Sequence, residues 1–121
     1  MRLYHYTNEA NLKKIIPSFF GKNYYTKNDV SACAVKRSFF YTEKRIAEIS
    51  LQGTKFCYIA EVKASGIYDI QKDKKEFLTK YSTITEALKA ISKKYTGIIY
   101  SYNDYKIVSL FVDIPGQRLA V

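Results

Sequence analysis

The chain has 121 residues, of which 47% are hydrophobic and 26% charged, and this composition predicts one globular domain over residues 1–121. Twenty Lys and Arg against 11 Asp and Glu leave a formal charge of +9, which favours contact with phosphate groups, nucleic acid or an acidic partner. No apolar run is long enough to span a bilayer, and the first residues lack a signal-peptide core. We therefore expect a cytoplasmic protein without membrane contact.

The chain begins with a predicted strand followed by a predicted helix. Arg2–Tyr6 alternates its side chains between two faces, as a strand does. Thr7 or Asn8 can then cap a helix that ends at Ile16, because the residue after it is proline. Residues 18–37 show no period and are expected to be irregular, which at this length usually indicates a functional or disordered segment.

The middle of the chain mixes strands and helices. Ser38–Thr42 predicts a compact strand, and Glu43–Leu51 predicts a helix. Thr54–Val62 is the most β-like segment and predicts a central strand. Gly66–Ile70 is a shorter extended piece, and residues 72–81 predict a weaker, very basic helix.

The last third opens on a capping box. Thr83 can serve an early backbone N–H of a helix, Glu86 can reach back, and Gly97 ends the helix. Strands at Ile98–Tyr102 and Tyr105–Ile114 should follow, with a tight turn at Asn103-Asp104 and a short tail from Pro115. Because strands and helices intermix without strict alternation, we predict an α+β domain with mixed or antiparallel strands.

Few residues have side chains suited to catalysis. Cys33 and Cys57 are expected to be reduced thiols, and one histidine with two scattered cysteines predicts no metal site. His5, the only histidine, lies in the first strand among tyrosines. It is either a half-buried ring bonded to a nearby carbonyl or an imidazole that faces a cleft and orients a ribose or an amide.

Short motifs spread over residues 3 to 114 resemble ADP-ribosyltransferase-like domains. The resemblance is to the subgroup that occurs in polyvalent proteins of phages and other mobile elements. The segments that carry it are Leu3–Thr7 (LYHYT), Ile16–Gly21 (IPSFFG), Arg37–Thr42 (RSFFYT), Tyr58–Val62 (YIAEV), Tyr68-Asp69 and Tyr95–Ile99 (YTGII).

The resemblance implies a split β-sandwich, two small and mostly antiparallel sheets with flanking helices, that binds NAD as a co-substrate between the sheets. In this family a first-strand histidine, here His5, holds the adenosine-side ribose or the nicotinamide amide. Tyr6 and Thr7 lie beside it as further cofactor-binding candidates. A tyrosine of the second motif strand, here Tyr41, stacks on the nicotinamide while the glycosidic bond ionises.

The catalytic acid is where this chain departs from the family. The family's glutamate opens the last hairpin strand, where it holds a ribose hydroxyl and stabilises positive charge on the sugar. Here that position falls on Lys106 or a neighbour, and a cation would oppose the transition state. Asp104 is the nearest acid and becomes the third catalytic candidate, whereas Glu61 lies on another strand.

These features leave three functions open. The first is transfer of ADP-ribose from NAD to a protein or nucleic-acid acceptor, such as a host defence component, by a phage or mobile-element effector. In it the segment carrying Asn23, Tyr24 and Tyr25 covers the nucleotide or presents the acceptor. The second is a catalytically degenerate domain of the same fold that binds or inhibits a host complex or nucleic acid. The third is a basic nucleic-acid-binding domain unrelated to NAD.

Overall fold

The computed structural model describes residues 1–18, 35–44, 53–102 and 104–119. Nine strands, one 3₁₀ turn and two helices lie in these ranges. They are β1 (Arg2–Thr7), β2 (Lys14–Ile15), β3 (Ser38–Tyr41), β4 (Phe56–Glu61), a 3₁₀ turn (Ala64–Gly66), β5 (Ile67–Asp69), α1 (Phe77–Lys80), α2 (Ile84–Ser92), β6 (Gly97–Tyr102), β7 (Tyr105–Leu110), β8 (Ile114–Pro115) and β9 (Gln117–Arg118). The predicted α+β class with mixed strands is confirmed.

Seven of the strands form one mixed sheet, in the order β5-β6-β7-β3-β1-β4-β9. Only β5 and β6 run parallel among the described pairs, and every other neighbouring pair in this sheet is antiparallel. The remaining strands, β2 and β8, form a separate two-stranded sheet. The resemblance implied two small sheets, whereas the structure divides the strands into one sheet of seven and one of two.

The first strand lies in the interior of the large sheet. Along β4 it pairs over its whole length, from Arg2 opposite Glu61 to Thr7 opposite Phe56. Toward β3 the ladder is short, with Tyr4 opposite Tyr41 as its register pair. The sheet is therefore most weakly joined between β1 and β3.

One face of the large sheet carries the main hydrophobic core. Leu3, Phe40, Tyr58 and Val108 are almost completely buried there, and the two-stranded sheet packs over them. Ile15 of β2 and Ile114 of β8 pair with each other and fill the space between the large sheet and the small one. The small sheet therefore acts as a second layer that removes this face from water.

The opposite face carries a second core against the helices. Tyr68 of β5 and Ile98 of β6 pack on the buried side of α2, whose Leu88 and Ile91 are at most 2% exposed. Phe77 of α1 closes this cluster edge-on against Tyr68. The helix predicted after Thr83 is confirmed, and its Ala87, Leu88 and Ile91 belong to this core.

The capping residue of α2 acts as predicted. Thr83 Oγ1 accepts a hydrogen bond from the backbone N–H of Glu86 at 3.2 Å, and the Glu86 carboxylate accepts one from Ser82 Oγ at 3.1 Å. The predicted end of this helix is wrong, because α2 ends at Ser92 and Gly97 opens β6. A Cβ on Gly97 would collide with the Ser109 carbonyl oxygen and come within 2.7 Å of Leu110 Cδ2, so close strand packing explains this glycine.

The predicted helix ending at Ile16 is wrong, and its place is taken by an irregular stretch and strand β2. Leu12 N–H donates to the Tyr58 hydroxyl at 3.1 Å, and that hydroxyl donates to the Glu9 carbonyl at 2.6 Å. These bonds satisfy backbone groups that a helix would have paired internally. The burial of Ile15 against Ile114 stabilises strand β2. The alternative helix would be only weakly stable, because its apolar periodicity is short and ends at a proline.

Two other predicted boundaries are wrong. Residues 72–76 form turns, and only Phe77–Lys80 is helical, because Asp73 and Glu76 adopt left-handed φ values of 42° and 58°. The predicted strand Tyr105–Ile114 ends at Leu110, and the chain then turns into β8 and β9 instead of a free tail.

Several sequence predictions fall wholly or largely outside the described residues. They are the helix at Glu43–Leu51, the irregular segment with Asn23, Tyr24 and Tyr25, Cys33, and Asn103 of the hairpin turn. The ends of that segment are described, and Ser18 and Arg37 form an antiparallel bridge there. No helix within the described ranges is long and apolar enough to cross a membrane.

Candidate functional site

His5 lies at the weak junction between β1 and β3. Its Nδ1 and the Phe39 carbonyl oxygen of β3 are 2.8 Å apart, and its ring packs at a centroid distance of 5.3 Å from Phe40. The carbonyl can only accept, so Nδ1 carries the proton and donates. The ring thus joins the two strands through a side chain where the backbone ladder is short.

The environment of His5 keeps it neutral. Burial lowers its pKa from the ordinary value of 6.5, and the hydrogen bond to Phe39 only partly opposes that effect. With the proton on Nδ1, Nε2 presents a lone pair. A few polar atoms of the described residues are sealed from solvent and have no hydrogen-bond partner. The Nε2 atom of His5 is not one of them. His5 therefore offers one hydrogen-bond acceptor that is not sealed from solvent.

The structure does not bring Tyr41 together with His5. Tyr41 pairs with Tyr4, and its ring meets Tyr6 and Tyr105 edge-on at centroid distances of 6.3 and 6.4 Å. Alternation along β1 puts His5 on the opposite face, toward the main core. These tyrosines form a ring cluster on the face that carries the helices.

The other two cofactor-binding candidates have partners within the protein. The Tyr6 hydroxyl donates to the Lys44 carbonyl oxygen at 3.0 Å, beyond the end of β3. Thr7 Oγ1 accepts from the backbone N–H of Glu9 at 3.2 Å, in the turn that follows β1. Both contacts stabilise the chain around the strand end that carries His5.

Asp104 occupies the turn of the β6–β7 hairpin. It is exposed and has a left-handed φ of 66°, which aspartate tolerates better than most residues. In the β3–β7 pairing, Phe40 lies opposite Val108. Extending the β1–β3 pairing by one residue from its register pair places His5 opposite Phe40. Asp104 is then four residues along β7 and two strands away from His5, roughly 16 Å between Cα atoms.

Lys106 is the second charged residue of this hairpin. It is exposed, and its carbonyl oxygen accepts the N–H of Thr42 at 3.4 Å. Alternation from Val108 puts its side chain on the face of Phe40 and His5. The cation that the sequence identified as a difficulty for catalysis therefore lies on the same face as the histidine.

Sequence reasoning missed two residues around this site. Phe40 is fully buried and supports the His5 ring, a role that its place in a strand of alternating aromatic residues could have indicated. Arg37 is only 7% exposed, lies over the Phe39 ring at 5.1 Å and donates to Ser109 Oγ at 3.4 Å. Arg37 opens the RSFFYT segment, but its burial was not predictable because it depends on a contact with Ser109 of a distant strand.

Cys57 is a half-buried cysteine on β4, opposite Tyr6. Within the described ranges, no three His, Cys, Asp or Glu side chains come together as metal ligands. The candidate site therefore consists of a neutral imidazole on β1 and, on the other side of β3, an exposed carboxylate and an exposed ammonium group of the β6–β7 hairpin.

No protein-family model matches the chain, no curated protein matches it, and no solved structure matches it.

Proposed function

We propose that this domain binds NAD beside the β1–β3 junction and transfers ADP-ribose to a protein or nucleic-acid acceptor, as a phage or mobile-element effector. One observation carries the proposal. The three strands that the resemblance assigns to histidine, tyrosine and acid are β1, β3 and β7, and they are consecutive neighbours in the sheet although they are distant in sequence. The resemblance to a split β-sandwich was drawn from motifs alone, so this adjacency supports it independently.

The chemical state of His5 suits a binding role. A neutral ring with Nε2 as acceptor can take a hydrogen bond from a ribose hydroxyl or from the nicotinamide amide N–H. A protonated ring carries hydrogen on both nitrogens and could not accept such a bond. Burial of His5 therefore favours the form that NAD chemistry needs.

In this proposal Asp104 is the acid. The bond between the ribose C1′ and the nicotinamide nitrogen breaks, and its electron pair leaves with nicotinamide. An acceptor nucleophile then bonds to C1′ and loses its proton. A carboxylate near the sugar stabilises the positive charge that develops between these events. The separation of roughly 16 Å between His5 and Asp104 fits an extended dinucleotide better than a small ligand.

Tyr41 enters this proposal less directly. Its ring lies in the tyrosine cluster on the other face of β3, with Tyr6 and Tyr105 as neighbours. That position favours a packing role that holds β3 in place over the nicotinamide-stacking role implied by the resemblance.

A thermal-shift titration with NAD tests the proposal. A ligand at one hundred times its dissociation constant stabilises the folded state by about 2.7 kcal/mol, which raises the melting temperature of a domain this size by roughly 10 °C. We expect this shift in the wild type and its loss in His5→Ala. Tyr102→Ala is the control, because Tyr102 is 62% exposed at the end of β6. A cooperative melt of the wild type that ignores NAD would contradict the proposal.

The degenerate binding module is the second candidate, and Lys106 is the observation that favours it. A lysine on the face of His5 opposes an oxocarbenium-like sugar but not the binding of a phosphate or an acidic partner. Nicotinamide release separates the two functions. An enzyme should lose release in Asp104→Ala and gain it in Lys106→Glu. A binding module should release no nicotinamide in the wild type and none in Asp104→Ala.

A further inference from the structure

The two helices leave a groove on the side of the molecule away from the His5 junction. Its volume is about 400 Å³, and its apolar lining comes from Phe77, Tyr81 and Ala90. Phe77 is buried and held edge-on by Tyr68, so the base of the groove is fixed, whereas the Tyr81 side chain is 39% exposed. A preformed apolar depression of this size accommodates one large side chain of a partner.

Apolar surface continues beside the groove. Leu78 of α1 and Ile84, the first residue of α2, are 42% and 45% exposed. Together with Tyr81 they place three large hydrophobic side chains at the solvent within one short helix–turn–helix segment. Exposed apolar residues concentrated in this way mark an interaction surface more often than a chance distribution.

The charged lining defines the partner. Lys89, Lys93 and Lys94 border the groove, and all three are exposed. Glu86, the one acid in the lining, accepts a hydrogen bond from Ser82 near the opposite end of α2. The groove is therefore apolar at its base and positive at the end where the helix terminates.

We infer that this groove binds an acidic segment of a partner protein, which inserts one aromatic or long aliphatic side chain between lysines that contact its carboxylates. The apolar base with cationic borders matches such a segment in both shape and charge. Single-stranded nucleic acid fits less well, because stacking needs several open aromatic faces and Tyr81 is the one exposed ring in the lining. This inference does not depend on NAD binding.

A phage-displayed random peptide library tests the inference by sampling many candidate segments at once. The library is panned on the wild-type protein and counter-selected on Ala90→Trp, whose indole fills the groove. We expect enriched peptides that are rich in Asp and Glu around a central aromatic or aliphatic residue. The inference would be overturned if no peptide were enriched on the wild type relative to Ala90→Trp. It would also be overturned if the enriched peptides lacked acidic residues.

Fluorescence anisotropy with an enriched, labelled peptide then tests the charges. Lys89→Glu combined with Lys93→Glu should weaken binding by at least about tenfold, because two attractive contacts become repulsive. Lys13→Glu combined with Lys55→Glu makes the same change in net charge at exposed positions outside the groove, and it should retain most of the affinity. Equal losses in the two double variants would show attraction to overall charge and refute a specific groove.

Labelled oligouridine forms the other arm of the experiment. We expect it to bind weakly and to respond equally to both double variants. Oligouridine binding that is lost only with Lys89 and Lys93 would assign the groove to nucleic acid and overturn the acidic-segment inference. A cooperative thermal melt of every variant confirms that each comparison uses folded protein.

Discussion

His5 is a side chain with structural contacts that also carries the proposed ligand-binding role. It joins β1 to β3 through the Phe39 carbonyl, packs on Phe40 and still offers Nε2 as an acceptor. A residue with two structural contacts and one open acceptor is consistent with both interpretations that the sequence allowed. The titration of His5 can be followed without interference from another imidazole, because the chain contains no other histidine.

The first prediction concerns pH. The folded pKa of His5 lies below 6.5, so the unfolded chain binds more protons at mildly acidic pH. The free energy of unfolding should therefore fall as pH drops below 6.5 toward the folded pKa, by at most about 1.4 kcal/mol per pH unit. Urea denaturation between about pH 5.5 and 7.5 measures this slope.

The matched variant is His5→Asn, whose amide N–H can still donate to the Phe39 carbonyl but does not titrate. It should lose most of the slope and some stability, because the ring contact with Phe40 disappears. An unchanged slope in this variant would show that other groups cause the pH dependence.

Gly97 supports the second prediction at this scale. A methyl group there collides with the Ser109 carbonyl, which is backbone held in the sheet, so Gly97→Ala should destabilise the fold by about 1–3 kcal/mol. Gly66→Ala is the comparison, because its methyl would meet Thr96 Oγ1 at 2.9 Å, and a side chain can move aside. Chemical denaturation should rank Gly97→Ala well below Gly66→Ala in stability.

Among the elements, α1 depends most on a single side chain. Asp73 accepts hydrogen bonds from the backbone N–H groups of Phe77 and Leu78 and from the Tyr68 hydroxyl. Burial acts to raise the pKa of Asp73, but the bonds from Tyr68, Leu78 and Phe77 outweigh it and leave the pKa below 3.8. The carboxylate therefore works as the cap of a helix whose own N-cap residue, Glu76, contributes no side-chain bond.

Replacement of Asp73 tests this capping role. Asp73→Ala should cost about 1–2 kcal/mol, because two backbone donors and a buried hydroxyl lose their acceptor. Asp73→Asn should cost less, since asparagine keeps one acceptor and tolerates the left-handed φ of 42°. Urea melts give both values, and equal losses would indicate that the charge alone matters.

Elements with local causes were predictable from the sequence, and elements with distant causes were not. The capping Thr83 and the helix it opens are adjacent in sequence, so the start of α2 was predicted correctly, although its end was not. Strand β2 was missed because its partner, Ile114, lies about a hundred residues away. The His5–Phe39 bond has the same origin, since sequence placed His5 in a strand but could not choose its neighbour.

At the scale of the whole molecule, the formal charge of +9 governs behaviour in salt. Exposed lysines repel one another, so screening should stabilise the folded state more than it weakens exposed ion pairs such as Arg2–Glu61. We expect the melting temperature to rise by roughly a few degrees when the sodium chloride concentration is raised from a low to a physiological value. Lys13→Glu combined with Lys55→Glu should show a smaller rise, and a fall in the wild type would contradict this account.

The interior position of β1 has a consequence for the route by which the chain folds. β1 pairs with β3 and β4, which are distant from it in sequence, whereas β6 and β7 are adjacent in sequence and form a local hairpin. Closing distant loops is slow, so the hairpin should be structured in the folding transition state and β1 should insert late. Conservative truncations in β7, such as Val108→Ala, should slow refolding, while Leu3→Ala should mainly accelerate unfolding. The strand that carries the candidate histidine would then be the last part of the sheet to form, and the proposed NAD site would be completed only when the rest of the sheet is in place.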